Sequence, residues 1–254
     1  MPLGTARRQG YLSDMKHTLP ILTLVATAAF LVSPFVADPF MGFDPQRFPV
    51  PQIDPPVQPA GYAFSIWGLI YVWLAVLAVV GVILRRDALA WQPVHLPLTL
   101  SLGPGALWLW VAGFAPLTAT VLIFWMLGCA IWALLRTPAQ DRWLLRVPVA
   151  LYAGWLTAAA HVSLGVAIGG YGLASGELAA VIAVAGATLV ALAVGWTRPD
   201  APEYSAAVIW AFIAVIVANL PEAIAVTGAT LVALLLVAAM TACGLWAGQR
   251  KPAL

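Results

Sequence analysis

Three aromatic side chains open one of the chain's long apolar runs: Phe64, Trp67 and Tyr71, in the stretch "PAGYAFSIWGLIY" from Pro59 to Tyr71. Residues three and four apart share a helical face, so this spacing makes a stripe of rings. Such rings pack a core, meet lipid, or stack on a flat apolar ligand, where offset or edge geometry adds about 0.5–1.5 kcal/mol per pair beyond area burial. A second pair, Tyr152 and Trp155, stands in "YAGWLTAA"; Trp108 follows Gly103, Pro104 and Gly105; and Trp125 and Trp132 flank Gly128. Trp125 and Trp155 fall about eight residues inside their runs, roughly 12 Å at 1.5 Å rise per residue. That is deeper than the interfacial belt where Trp and Tyr gather.

His161 is the one ionisable side chain clearly inside an apolar run, and an ionisable group inside a membrane marks a functional site by default. At about 100° per residue it lies about 120° from Trp155 and about 180° from Tyr152, so it does not share their face. It either points toward Asn219 and Glu222 at the outer end of the seventh run, forming a polar intramembrane site, or bonds a nearby backbone carbonyl. There is no Ser/His/Asp arrangement, phosphate-cradling glycine loop, HExxH or pair of intramembrane carboxylates. Hydrolysis, phosphoryl transfer and metal catalysis thus lack machinery, and the chain reads as a binding protein and not an enzyme. Cys129 and Cys243 have no CxxC or His spacing that would suggest a metal site or a disulfide frame.

These side chains need elements to hold them. Hydrophobic residues make up 63% of the 254 and charged ones 9%, against roughly a quarter charged in a soluble domain, so the chain is an integral membrane protein. With about 20 apolar residues needed per spanning helix, eight spans are predicted: 19–37, 62–84, 97–114, 117–135, 147–169, 178–196, 205–219 and 224–246. Eleven of the twelve Lys and Arg then fall on one side, with Arg47 alone opposite, which predicts cytoplasmic termini in a bacterial inner (plasma) membrane. The first span is read as a retained helix and not a signal peptide, because Phe35 spoils a cleavage site after Ala37. A net charge of +2 implies no nucleic-acid partner.

Residues 38–58, "DPFMGFDPQRFPVPQIDPP" and its flanks, are proline-rich and without helical period. They make an outer loop that either covers the mouth of the bundle or serves as a spacer. The last three spans are rich in Ala, Val and Gly and repeat "GATLVAL" at 186–192 and 228–234. The expected architecture is all-α with eight spans: a five-helix bundle over 1–175, including the outer loop 38–60, and a three-helix extension over 176–254.

The aromatic motifs resemble those of the tryptophan-rich sensory protein family, also called the translocator or peripheral benzodiazepine receptor family (TspO/MBR). Pro59, Tyr62, Phe64, Trp67 and Tyr71 follow the family's second span with one residue fewer between Phe and Trp. Leu107, Trp108 and Phe114 resemble its third span, Trp132 its fourth, and "YAGWLTAA" its fifth. Gly105 stands where the family has Asn, and Pro148 and Tyr152 are separated where it has Pro-Tyr. The likeness covers about residues 15–172. It implies a pocket between helices one, two, three and five under the first loop, lined by Phe64, Trp67, Trp108, Tyr152 and Trp155. That pocket would take a planar hydrophobic ligand such as a porphyrin or other tetrapyrrole, with no obligatory cofactor, in a sensory, transport or regulatory role. Two other readings stay open: a structural or assembly subunit that docks as a homodimer or in a larger complex through the last three helices, and a small-solute transporter.

Overall fold

The computed structural model describes the backbone of residues 3–249 and the side chains of residues 18–247. Lipid offers no partner for backbone N–H and C=O groups, so long apolar runs satisfy them internally as helices. The eight helices are α1 (Leu3–Val36), α2 (Ile66–Ile83), α3 (Gln92–Phe114), α4 (Pro116–Arg136), α5 (Val147–Gly170), α6 (Gly176–Thr197), α7 (Pro202–Asn219) and α8 (Ile224–Gln249). All eight are long and apolar enough to cross a membrane. A 3₁₀ run, Gly61–Ser65, leads into α2, and a π turn, Arg142–Arg146, leads into α5.

Two spans begin five residues earlier than hydropathy suggests. The third starts at Gln92 and not at 97, with Pro93 in its first turn and His95 buried; proline there costs no helical hydrogen bond. The fifth helix starts at Val147 as expected, but the π turn before it carries the span back to Arg142. Its arginines are tolerated because Arg142 pairs with Glu203 and Arg146 with Asp200, both brought up by the start of α7.

Helix packing forms two groups that share one member. In the first, α1 lies against α2 and α3, α3 against α4, α4 against α5, and α2 closes on α5. In the second, α5 packs on α6 and α7, and α8 closes on both of these. Accordingly, 78% of the most apolar window of α5 is buried, against 22% for α8. Close approach is built in at Gly154, where a Cβ would collide with the backbone oxygen of Tyr204 on α7. The Tyr204 hydroxyl then bonds Thr157 at 2.8 Å, and a continuous core runs through both groups.

The fourth helix settles which way its two tryptophans face. Trp125 and Trp132 are 55% and 39% exposed, so they look outward. The reason for Trp125 is specific. Pro104 inside α3 has no N–H for the carbonyl of Leu100, and the Trp125 indole supplies the missing donor across the helix pair at 3.1 Å.

At the end of the bundle opposite the 37–60 loop, ion pairs tie the connections together. Arg85 holds Asp141 at 2.7 Å, and Asp141 also accepts from the Trp91 indole at 2.9 Å. Asp200 meets Arg146 and Arg198, and Arg198 reaches the carbonyl of Leu134 and, at 2.9 Å, the hydroxyl of Thr137. The Arg85 guanidinium holds the Asp141 carboxyl below its ordinary value. Burial pushes Asp200 up, but Arg198 and Arg146 outweigh it and the net direction is down.

Candidate functional site

A cavity of about 230 Å³ lies inside the first helix group, toward the end that carries the 37–60 loop. Its walls begin with the stripe on α2. Trp67 and Tyr71 stack with centroids 5.2 Å apart and planes 28° from parallel. Opposite them on α5, Trp155 meets Phe64 at 6.0 Å and Trp67 at 6.1 Å, both edge-on. Trp108 on α3 completes the ring of flat surfaces and is oriented by a 2.9 Å bond from its indole to the carbonyl of Ala119.

Four of the five residues expected to line the pocket, Phe64, Trp67, Trp108 and Trp155, therefore come together, and Tyr71 of the same stripe, also a ligand-binding candidate, joins them. Tyr152 does not join them. It is fully buried behind the wall, with its hydroxyl 2.9 Å from Ser101, whose own hydroxyl donates to the carbonyl of Met126. Three residues separate Tyr152 from Trp155, a turn of about 300° at 100° per residue. That is enough to put one ring in the cavity and the other in the seam with α3.

Several lining residues carry no periodic signal. Phe30 on α1 sits among Trp67, Tyr71 and Tyr152 at 5.7–5.8 Å, edge-on to each, yet it is a lone aromatic on its side of that span. The loop contributes Phe40 and Phe43, which close over Trp108 at 4.9 and 6.3 Å. It is anchored by Phe48, which lies where Gly170 has no side chain, and by the amide of Val50 bonding the carbonyl of Gly170 at 2.9 Å. Of the two readings of this loop, the cover is the one observed. The wall also takes in Ile123 and Met126 from α4 and Ala211 from α7. Where the family pattern has Asn, a Cβ on Gly105 would stand 2.8 Å from Met126 Cε and 3.1 Å from the Phe30 ring. The absent side chain thus leaves room for those two.

The polar residues lie elsewhere. His161 Nδ1 is 2.7 Å from the carbonyl of Thr157, its ring is edge-on to Phe124, and Gly186 of α6 leaves space for it. Asn219 donates to the carbonyls of Pro56 and Val215 at 2.7 and 2.8 Å, pinning the loop to α7. Glu222 is exposed in the turn before α8. Each of the three has its own setting, and among the described residues no hydrogen bond joins one to another. The second GATLVAL copy is not used like the first: Gly186 receives His161, whereas Gly228 faces open space.

Among the described residues no group of three or more His, Cys, Asp or Glu could hold a metal. The site is an apolar, aromatic-walled chamber suited to enclosing a small molecule. No curated protein and no solved structure matches the chain. A family model described as TSPO-like protein matches residues 21–242, from the first span into the last, and the chain therefore belongs to the TSPO-like protein family.

Proposed function

We propose that the protein binds a planar hydrophobic small molecule in the cavity between α1, α2, α3 and α5, in a non-enzymatic sensory, transport or regulatory role. The observation that carries this is the arrangement of rings: a stacked Trp67–Tyr71 pair faced by the edges of Phe64 and Trp155 beneath a loop that covers the mouth. Tetrapyrroles are the largest candidates. We also place both termini on the cytoplasmic side of a bacterial inner membrane, because Arg85, Arg86, Arg136, Arg142, Arg146 and Arg198 stand at the end opposite the loop.

Intrinsic Trp fluorescence of the intact chain in lipid nanodiscs tests the binding reading. Planar aromatic ligands, a porphyrin included, are expected to quench it saturably, and Trp67→Ala should weaken this at least about fivefold through loss of stacking and packed area. Quenching that never saturates with any planar ligand, or that is the same in Trp67→Ala, overturns the proposal.

A further inference from the structure

Helix α7 is fastened at both ends to segments that precede α5 in the chain. At the loop end, the Asn219 side-chain amide donates to the carbonyl of Pro56 at 2.7 Å, the Ala60 amide donates to the carbonyl of Ala214 at 3.0 Å, and the Trp210 indole donates to the carbonyl of Ala63 at 3.0 Å. Val57 of the loop and Val215 of α7 also belong to a second apolar core, shared with α5, α6 and α8. At the opposite end, Asp200 and Glu203, just before and within the first turn of α7, pair with Arg146 and Arg142 of the π turn. The 18 residues of α7 span about 27 Å at 1.5 Å rise per residue, so one helix holds the cover of the cavity and, across the membrane, the start of α5.

What α7 grips at the inner end is an element with a second geometry open to it. π turns occur mostly as single-turn bulges in α-helices, often at functional sites, and close their hydrogen-bonded ring over one residue more than an α turn. Resetting to α geometry takes a shift of one residue, which turns the preceding side chains by about 100°. The turn carries Trp143, whose ring lies 6.3 Å from that of Trp73 on α2 with planes 8° apart and whose carbonyl accepts from the Trp73 indole at 2.8 Å. The Arg142 guanidinium stands 4.9 Å above the same ring. A reset of the turn would move both side chains off these partners.

We propose that α7 couples the two faces of the membrane: the setting of the loop half from Pro56 to Ala63 and the geometry of the π turn change together, so that Arg142 and Trp143 report the state of the cover. Coupling over such a distance needs a contiguous connection between elements that have two arrangements. Here the connection is a single helix, bonded to the cover at one end and ion-paired to the turn at the other. This deepens the sensory form of the reading given above and rests on it for its use. It also gives the three-helix extension a role that a bundle of five helices could not fill.

Amide hydrogen exchange of the intact chain in nanodiscs, with no ligand added, tests the coupling by itself. Asn219→Ala removes the bond to Pro56, and exchange over residues 57–63 should rise about tenfold, the scale of one buried hydrogen bond lost. In the same variant, exchange over residues 141–147 should rise at least about fivefold, the lower end of ordinary coupling between sites, while residues 120–134 in α4 stay unchanged. Glu203→Gln, made at the other end, should loosen 141–147 and also 57–63, because a coupling free energy acts in both directions. Exchange that changes only at the substituted end in both variants overturns the proposal, as does a rise that spreads equally into α4. Either failure leaves the cavity reading standing, since Trp67 quenching decides that separately.

Discussion

At the scale of single residues, Gly105 decides how much room the cavity has. A Cβ there presses on the far end of Met126 and on the Phe30 ring, and both line the chamber. The Met126 end is flexible, so the fold should absorb Gly105→Ala while the chamber shrinks. Its affinity for a planar ligand should fall by about 1–3 kcal/mol, the effect of one methylene in a filled pocket, with little change in melting temperature. Calorimetry and thermal unfolding on the same preparation check both halves. Gly154 is the contrasting case, because its missing side chain lets α5 touch the backbone of α7. Gly154→Ala forces a rigid backbone apart and should cost about 1–3 kcal/mol or more of stability, read as a lower melting temperature in detergent.

At the scale of elements, much of the cavity was legible because one face of the 3₁₀ run and α2 repeats at helical spacing: Phe64, Trp67 and Tyr71 announce themselves, and all three line the chamber. Phe30, Phe40 and Phe43 were not legible, since a single ring on a span and rings in an aperiodic proline-rich loop have no period to betray where they point. The setting of Trp125 was not legible for a definite reason. Its indole answers a carbonyl freed by Pro104 on a neighbouring helix, and that pairing exists only once α3 and α4 are packed. The extension of the fifth span back to Arg142 escaped hydropathy because the charges it carries, Arg142 and Arg146, are neutralised by residues 61 and 54 positions away in sequence.

The connections between elements carry a pH dependence. Asp141 and Asp200 both have lowered pKa values, from an ordinary 3.8. A carboxylate with a depressed folded-state value adds stability above its unfolded value and loses it as pH falls through the folded one. Melting temperature in detergent should therefore decline as pH drops below about 4, and more shallowly in Asp141→Asn, which starts lower and has one such group fewer. Asp200→Asn removes a partner of Arg146, whose side chain is only 7% exposed. At neutral pH it should cost about 1–3 kcal/mol, kept to that range because Asp200 itself is half exposed.

At the scale of the whole molecule, charge distribution and fold agree on two unlike ends: one carries the loop over the cavity, and the other carries the paired arginines. Single cysteines at Asp44 and at Arg86, introduced in a background lacking Cys129 and Cys243, should react with an impermeant maleimide from opposite sides of intact cells. Labelling of Asp44→Cys from outside is the expected result, and the reverse pattern would invert the proposed orientation. The ion pairs at the second end also impose an order on synthesis. Arg146 enters the bilayer region with α5, but Asp200 and Glu203 leave the ribosome only after the whole of α6 has been made. For that interval a nearly buried guanidinium awaits its counter-charge, so the nascent chain should stay open to quality-control proteolysis until α7 arrives. Chains ending at residue 175 should consequently turn over faster in a pulse-chase than full-length ones, and Arg146→Leu, which needs no partner, should slow that loss.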